Sequence, residues 1–446
     1  MVLRFLDSGP GGRWFKSTRP DHFIVVHSFC GESFFAVVWF NIAAAKTTPR
    51  TMKLARLIPD TVLPKDGGLL IGRMWVPGPH GGEPLVVAIA DQSLFDITGR
   101  FDTVAEVLND PEPAVNAHPR PGVDRDLGPL AEFVPDIVGA APSLGRPYLL
   151  APCDLQPIKA SGVTFLVSLK ERVIEEAARG DPEKAASLRR QISDELDRRL
   201  ANIKPGSPQA VAAKEWLCTK QLWSPYLEVA IGPDAEIFSK APPMSAVGAG
   251  SNIGVLRRSE WNNPEPEVVL AISRRGRIVG ATLGNDVNLR DFEGRSALLL
   301  GRAKDNNGSC AIGPFIRLFD ATFGIDDVRT AEISLDVEGP DGFTLHAISR
   351  MQEISRDPED LVRQTIGPDH QYPDGVMLFL GSMFAPTRDR DRAGRGFTHK
   401  VGDLVSISSP KLGALVNRVD YCDAIEPWTF GVSTLINCVR HRRTNT

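Results

Sequence analysis

The sequence predicts an α+β fold dominated by β-sheet, and three observations support this prediction. Short apolar runs broken by Gly, Pro and Asp fill residues 67–99, and strand-like runs dominate again from about residue 225 onward. One strongly helical region, residues 169–200, lies between them. The length of 446 residues, 42% of them hydrophobic, is enough for two or three domains with cores of their own.

Composition excludes several classes of protein. The formal net charge is −4, which argues against binding to nucleic acid through phosphate neutralisation. No apolar stretch reaches the roughly 18–20 residues that span a bilayer. The six cysteines have no CxxC spacing, so neither a zinc ribbon nor a disulfide scaffold is indicated. We therefore expect a soluble, cytoplasmic protein with no nucleic-acid or membrane partner.

Residues 1–51 differ in composition from the rest of the chain and are interpreted as an atypical extension. They contain seven phenylalanines and two tryptophans. Basic residues, the apolar run Phe34–Phe40 and the alanines Ala43–Ala45 follow one another as in a signal peptide, although Asn41 interrupts the order. We favour an interpretation in which the protein starts at Met52, and export or an additional strand are the alternatives.

The rest of the chain divides into three predicted segments. Residues 52–145 form a small β-rich N-terminal domain, residues 146–430 the main domain, and residues 431–446 a C-terminal tail. Four prolines within residues 109–123 are typical of a linker between the two domains.

The helices are predicted from periodicity and capping residues. A short helix is expected over Thr103–Leu108. The helical region at residues 169–200 breaks at Gly180, and Asp181 can cap its second half. Because this half is dense in charge, we interpret the region as a solvated helical hairpin, with a mobile lid as the alternative. Asp357 precedes a further helix, Pro358–Gln364.

The segment around Glu265 and Glu267 carries the clearest chemical signal. Pro264 and Pro266 fix φ and favour extended neighbours, so the segment cannot be helical. Residues two apart in an extended chain share a face, so the two glutamates point the same way. The apolar run after them predicts a buried strand, where carboxylates are costly unless a cation compensates them.

A hairpin register brings a third carboxylate to this pair. If Arg275 and Gly276 form a two-residue loop, the next strand, Ile278–Gly284, leads to Asp286 opposite Glu265. Three carboxylates on one face are a hard-oxygen site for Mg²⁺, Mn²⁺ or Ca²⁺. The alternative is that they face solvent and pair with nearby arginines.

A lysine follows these carboxylates in the chain. Lys304 could act as an acid or base, or stabilise an enolate, if it lies near a metal-bound carbonyl. Taken alone, it would be interpreted as a surface lysine.

Together these residues resemble the fumarylacetoacetate hydrolase (FAH) family. Pro264–Glu267 is similar to the family's E-x-E metal motif, and Asn285–Asp291 to its N-D-x-x-x-R-D segment. The resemblance implies a mixed β-sheet roll with a helical insertion and a homodimer or homotetramer. It also implies a Mg²⁺ (or Mn²⁺ or Ca²⁺) site at Glu265, Glu267 and Asp286, with Lys304 as the active-site lysine.

Departures from the family's pattern bear on the reaction. Hydrolytic members carry a histidine where Gly162–Ser168 has Ser168, and Glu293 stands where many have glutamine. The resemblance therefore favours the dehydratase branch, which converts 2-keto-3-deoxy-pentonates such as 2-keto-3-deoxy-D-xylonate to 2-oxoglutarate semialdehyde, a reaction of pentose catabolism.

The resemblance assigns roles to further residues and leaves alternatives open. Lys304 and Glu236 share the acid/base work in an order the sequence does not decide. The predicted substrate-binding residues are Arg290, Ser382, Lys240, Glu293 and Thr164.

Three alternative functions stay open. An acylpyruvate- or fumarylacetoacetate-type C–C hydrolase would need Glu171 or Glu175 to activate water. A 2-keto-acid decarboxylase or tautomerase would use the same metal chelate. A catalytically inactive binding protein is the alternative from a different class.

Overall fold

The computed structural model describes residues 5–6, 13–16, 23–26, 59–78, 82–134, 138–139, 145–179, 181, 183–188, 200, 203–219, 223–391 and 396–445. Residues 1–51 and residues 52–446 form two compact units. In the first unit β1 (Phe5–Leu6), β2 (Arg13–Lys16) and β3 (Phe23–Val26) pair in sequential antiparallel order. The run Phe34–Phe40 lies outside the described residues, so its interpretation stays a prediction.

The second unit contains the remaining described strands and helices. The strands are β4 (Leu70–Val76), β5 (Glu83–Ala90), β6 (Ser93–Asp96), β7 (Arg125–Pro129), β8 (Tyr148–Leu150), β9 (Ile158–Ser161), β10 (Ile237–Ala241), β11 (Asn252–Val255), β12 (Asn262–Asn263), β13 (Pro266–Ile272), β14 (Ile278–Asp286), β15 (Asn288–Leu289), β16 (Cys310–Leu318), β17 (Glu332–Glu338), β18 (Thr344–Arg350), β19 (Val376–Phe379), β20 (Leu404–Ser409) and β21 (Gly413–Tyr421). The helices are α1 (Pro59–Val62), α2 (Val104–Asn109), α3 (Pro113–Asn116), α4 (Leu166–Ala178), α5 (183–188), α6 (Pro208–Thr219), α7 (Pro225–Ile231), α8 (Arg290–Glu293), α9 (Leu300–Lys304), α10 (Ile325–Arg329), α11 (Pro358–Thr365) and α12 (Val432–Asn445).

Within the described residues, two sheets carry most of the second unit. Eleven strands form the larger sheet in the order β10-β9-β19-β13-β14-β16-β4-β5-β6-β7, with β8 also paired to β4. The smaller sheet has the order β11-β21-β20-β17-β18. Since β16 pairs with β4, strands from residues 52–145 continue the sheet that carries β13 and β14. The division of the chain at residue 145 stays a prediction.

The core lies on both faces of the larger sheet. Along β13, Leu270 packs in a cluster with Leu335 of β17 and Ile407 of β20. Its neighbour Ala271 belongs to a second cluster, which includes Leu108 of α2. This alternation is the two-residue period of a strand buried on both sides. The predicted α+β fold, with sheet dominating, is confirmed.

The two predicted capping residues, Asp181 and Asp357, adopt their expected positions, and a third cap was not predicted. Thr103, predicted to lie inside a helix over Thr103–Leu108, instead caps α2 and accepts a hydrogen bond from the Glu106 amide. Asp181 accepts from the amide of Glu183 over 2.9 Å at the start of α5. Asp357 does the same for α11. A cap of this kind satisfies backbone donors that the first turn of a helix leaves open.

The hairpin of β13 and β14 has the predicted register but a different loop. Ser273 and Arg277 pair across a three-residue loop, in which Gly276 has a φ of 74°. The predicted two-residue loop is therefore wrong. A β-bulge leaves Val279 without a partner on β13, and this extra residue restores the predicted pairing from Ala271 onward. The Asp286 amide then donates to the Glu265 carbonyl over 2.9 Å.

The segment predicted as a C-terminal tail contains the helix α12. Its Leu435 is buried, and Arg442 pairs with Glu83 over 2.6 Å. Among the described residues, no helix is both long and apolar enough to cross a membrane.

Removing the Leu270 side chain tests the central position of β13. Because Leu270 is fully buried, we expect Leu270→Ala to lower the free energy of unfolding by about 2–5 kcal/mol. Urea denaturation followed by circular dichroism measures this change. The control Ile348→Ala, at a half-exposed position of β18, should cost less than about 1 kcal/mol. Equal losses in both variants would contradict a core that is centred on β13.

Candidate metal centre and active site

Three carboxylates meet at the junction of β13 and β14. Glu265 precedes β13, Glu267 is its second residue, and Asp286 ends β14. Each offers an oxygen within 4.8 Å of the others, and all three side chains are buried. This set of hard oxygen donors is chemically suited to Mg²⁺, Mn²⁺ or Ca²⁺.

Three cationic side chains from separate elements surround the carboxylates. Lys304, at the end of α9, contacts Glu265 and lies 2.8 Å from Oδ2 of Asp286. Lys240 of β10 lies 2.8 Å from Oδ1 of Asp286 and is fully buried. Arg172 of α4 contacts Glu265 and lies 3.0 Å from Oε2 of Glu293.

The charges around the cluster do not balance by themselves. Glu293 and Glu236 line the same cavity as the three carboxylates, so five acidic groups face the cations Arg172, Lys240 and Lys304, and the buried Arg290 adds a fourth positive charge that acts on Glu265. When all are ionised, the acidic groups exceed the cations by one charge. A divalent cation would supply the missing positive charge, so the residues present fit such an ion.

The pKa values of Glu265 and Glu267 shift in opposite directions. Burial opposes ionisation of Glu265, but Arg172 and Lys304 outweigh it and lower its pKa to about 2. Burial raises the pKa of Glu267 well above its usual range, and the neighbouring Asp286 and Glu265 add to this shift. The Gly381 amide donates to Glu267 over 2.7 Å. The repulsion on Glu267 is what a bound cation would relieve.

Glu236 and Lys304 also have perturbed pKa values. Burial, reinforced by Glu293, raises the pKa of Glu236 to about 7. Burial would lower the pKa of Lys304, but Asp286 and Glu265 outweigh it and raise that pKa above its usual range. At neutral pH Glu236 can therefore both accept and release a proton, whereas Lys304 stays charged.

The position of the Glu236 carboxylate requires a glycine at residue 162. The carboxylate lies directly against Gly162, and a Cβ on that residue would overlap Oε2 of Glu236. The Gly162 amide donates to the Glu236 carbonyl over 3.1 Å. A residue with a side chain at position 162 would therefore displace the carboxylate.

Comparison with known protein families gives a match to part of the chain. Residues 226–420 match the family described as fumarylacetoacetate (FAA) hydrolase C-terminal. They include Glu236, Lys304 and the three carboxylates. Over these residues the chain is similar to that family, in agreement with the resemblance seen in the sequence.

Two curated relatives are similar to the chain over part of their length. A 2-dehydro-3-deoxy-D-arabinonate dehydratase of Saccharolobus solfataricus is 32% identical over 184 residues, which are 41% of this chain and 58% of that protein. A probable 2-keto-3-deoxyxylonate dehydratase of Haloferax volcanii is 31% identical over 194 residues, 44% of this chain and 63% of that protein. The matches thus span about three fifths of each relative.

Solved structures show the same fold. The apo form of a 2-keto-3-deoxy-D-arabinonate dehydratase superimposes with a TM-score of 0.52 at 22% identity, over 79% of this chain and 99% of that one. The same dehydratase complexed with magnesium and 2,5-dioxopentanoate gives a TM-score of 0.51 at 22% identity, with the same coverage. The expected FAH-type fold is confirmed.

The predicted substrate-binding residues differ in their positions. Ser382 and Glu293 line the cavity that contains the carboxylates. Thr164 does not line it, and its hydroxyl donates to the Leu380 carbonyl over 2.6 Å. Thr164 thereby fixes the backbone next to Gly381, and its contact with substrate stays a prediction. Lys240 also lies outside the lining and contacts Asp286, so its predicted role in substrate binding stays a prediction too.

Arg290 is likewise separated from the cavity. Its guanidinium lies 5.7 Å from the centre of the Trp261 ring and donates to the Pro386 carbonyl over 3.4 Å. Its charge still helps to lower the pKa of Glu265. The structure thus gives Arg290 an electrostatic effect on Glu265, and its predicted hydrogen bond to substrate stays a prediction.

Arg172 and Ser161 line the cavity but were not predicted from the sequence. A signal for Arg172 existed, because it lies four residues after Ser168, one helical turn along the same face. Ser168 lines the cavity too, and its hydroxyl donates to the Phe165 carbonyl over 2.9 Å. Among the described lining residues there is no histidine, in agreement with the departure seen in the sequence.

Loss of Glu267 should abolish divalent-cation binding. In the wild-type protein we expect Mg²⁺ or Mn²⁺ to raise the melting temperature, because the cation removes repulsion among buried carboxylates. In Glu267→Gln this increase should vanish, as seen by differential scanning fluorimetry across a metal titration. Glu215→Gln, at an exposed position of α6, is the matched control. A metal-dependent increase that persists in Glu267→Gln would reject the assignment.

Proposed function

We propose that the chain is a divalent-metal-dependent dehydratase of 2-keto-3-deoxy sugar acids. The substrate would be 2-keto-3-deoxy-D-xylonate or a related pentonate, and the products 2-oxoglutarate semialdehyde and water. The observation that carries this proposal is the buried carboxylate triad beside Glu236, whose pKa is raised to about 7 by burial and Glu293. Two curated relatives named as pentonate dehydratases support it.

The chain's own residues divide the acid/base work. When bound by the triad, Mg²⁺ would supply positive charge that polarises the keto group and stabilises negative charge on the substrate. Glu236 would take the C3 proton as the general base, because it is partly ionised at neutral pH. Its raised pKa also suits it to return a proton, which dehydration to a semialdehyde requires. Loss of the C3 proton and C4 hydroxyl leaves a C3=C4 double bond, and proton transfer from C5 to C3 and then tautomerisation give the aldehyde.

Lys304 would serve as a fixed cation and hydrogen-bond donor. The charges of Asp286 and Glu265 keep it protonated, so it is a poor base. It can assist departure of the C4 hydroxyl, whose oxygen leaves as water with a proton. Ser382 and Glu293, as lining residues, would hold substrate oxygens directly. Arg290, Lys240 and Thr164 remain the other proposed substrate-binding residues.

The alternative of a C–C hydrolase is less well supported. Such an enzyme must activate a water molecule, and the family's hydrolytic members use a histidine for this step. No described residue that lines the cavity is a histidine. Glu171 is buried on α4 but does not line the cavity, and the side chain of Glu175 lies outside the described residues. A decarboxylase or tautomerase would use the same triad, and product analysis separates these reactions.

The wider setting follows from the same proposal. We propose a small 2-keto acid as the partner molecule, a cytoplasmic location and a role in pentose catabolism. We also propose a homodimer or homotetramer as the assembly. Light scattering on the purified protein would measure the mass of that assembly.

The direct assay supplies purified protein with Mg²⁺ and 2-keto-3-deoxy-D-xylonate. We expect 2-oxoglutarate semialdehyde, detected through an NAD-linked semialdehyde dehydrogenase, because the triad and Glu236 can support elimination. EDTA should remove the signal and excess Mg²⁺ should restore it. Cleavage of an acylpyruvate in the same buffer, without any dehydration, would instead favour the hydrolase.

The pH dependence of kcat/KM should reflect the ionisation of Glu236. Since a general base acts in its deprotonated form, kcat/KM should rise as pH increases through about 7. The positive charge of bound Mg²⁺ would move this rise to lower pH. Glu236→Gln should lower kcat by about 10²–10⁴-fold and remove the dependence. Glu215→Gln is again the control, and an unchanged pH profile in Glu236→Gln would exclude Glu236 as the base.

A further inference from the structure

Three serine hydroxyls line the cavity, and they differ in their hydrogen-bonding capacity. Ser168 donates to the Phe165 carbonyl, and Ser382 donates to the Phe384 carbonyl over 3.2 Å. Each has therefore used its one donor and can only accept from a ligand. Ser161, at the end of β9, is 3% exposed, and its hydroxyl has no partner among the described residues. It is thus the serine that can still donate.

An unpartnered buried hydroxyl is costly, so its position needs a reason. Burying such a group without a hydrogen bond destabilises a folded protein. Other serines, such as Ser349 and Ser409, also have unpartnered hydroxyls, but they lie outside the cavity. The missing partner alone therefore does not indicate a ligand. Ser161 has both an unpartnered hydroxyl and a position in the cavity wall.

The neighbours of Ser161 contact both the proposed base and one of the metal ligands. The next residue is Gly162, which lies against the Glu236 carboxylate. On the other side, a Cβ at Gly381 would lie 3.2 Å from the Ser161 carbonyl oxygen. The Gly381 amide donates to Glu267. Ser161, Glu236 and the triad line the same cavity, so a ligand that fills this cavity lies beside all of them.

We propose that Ser161 is a specificity-determining residue that donates a hydrogen bond to the C5 hydroxyl of the substrate. This inference rests on the proposed dehydratase function. The oxygens of C1 and C2 suit the cation site, and the C4 hydroxyl leaves during the reaction. The C5 oxygen stays on the product, so a neutral donor with no proton to transfer suits it. A site with a donor for this oxygen disfavours ligands that lack it.

A pair of non-reacting ligands tests this inference by calorimetry with the Mg²⁺-loaded protein. Both 5-hydroxy-2-oxopentanoate and 2-oxopentanoate lack the C4 leaving group, and they differ only in the C5 hydroxyl. We expect the wild-type protein to bind the hydroxylated ligand at least about tenfold more tightly. In Ser161→Ala the two affinities should become equal. The variant's melting temperature should be unchanged or higher, because an unpartnered buried hydroxyl is removed.

Controls distinguish a failure of this inference from a failure of the proposed function. Ser409→Ala removes an equally unpartnered hydroxyl outside the cavity and should leave both affinities unchanged. Ser161→Cys keeps a side chain of similar shape and should behave as Ser161→Ala. If the Ser161 variants retain the wild-type preference, the inference is overturned. If the wild-type protein prefers the hydroxylated ligand but does not turn over 2-keto-3-deoxy-D-xylonate, the proposed dehydratase function alone is rejected. If neither ligand binds, the proposed function and the inference about Ser161 are both rejected.

Discussion

The burial of three carboxylates at one end of the β13–β14 hairpin is the constraint on which the rest of the site depends. Ionised groups in such a place require compensating positive charge. The fold supplies it from three separate elements, with Arg172 on α4, Lys240 on β10 and Lys304 on α9. Because these elements are far apart in the chain, the site exists only when the large sheet and the helical insertion are assembled together.

The hairpin shows how local errors in a prediction can cancel. The three-residue loop shifts the pairing by one residue relative to the predicted loop, and the bulge at Val279 shifts it back. A shift of one residue reverses the face of every side chain. Asp286 would then point away from Glu265. The bulge is therefore part of the site, although no residue of it touches the carboxylates.

The features that were predicted correctly from the sequence depend on residues close together in the chain. The extended Pro264–Glu267 segment and the caps at Asp181 and Asp357 follow from local rules. The register that leads to Asp286 was predicted correctly only because the longer loop and the bulge offset each other. Long-range packing decided the rest. The pairing of Glu265 with Arg172 joins residues 93 positions apart, and Thr164 turned out to fix the Leu380 carbonyl. A single sequence shows that a buried Glu265 needs a neighbouring cation, but it does not show which residue supplies that cation.

The surroundings of Glu236 and Lys304 explain why their protonation states differ at neutral pH. Lys304 touches Glu265 and Asp286, so their charges hold its proton. Burial and the charge of Glu293 instead disfavour the ionised form of Glu236 and bring its pKa to about 7. Environments that push the pKa values of two titratable groups apart are the usual basis of an acid/base assignment. In the proposed mechanism, Lys304, which is held by Glu265 and Asp286, therefore stays a cation, and Glu236, whose charge is disfavoured by burial, exchanges the proton.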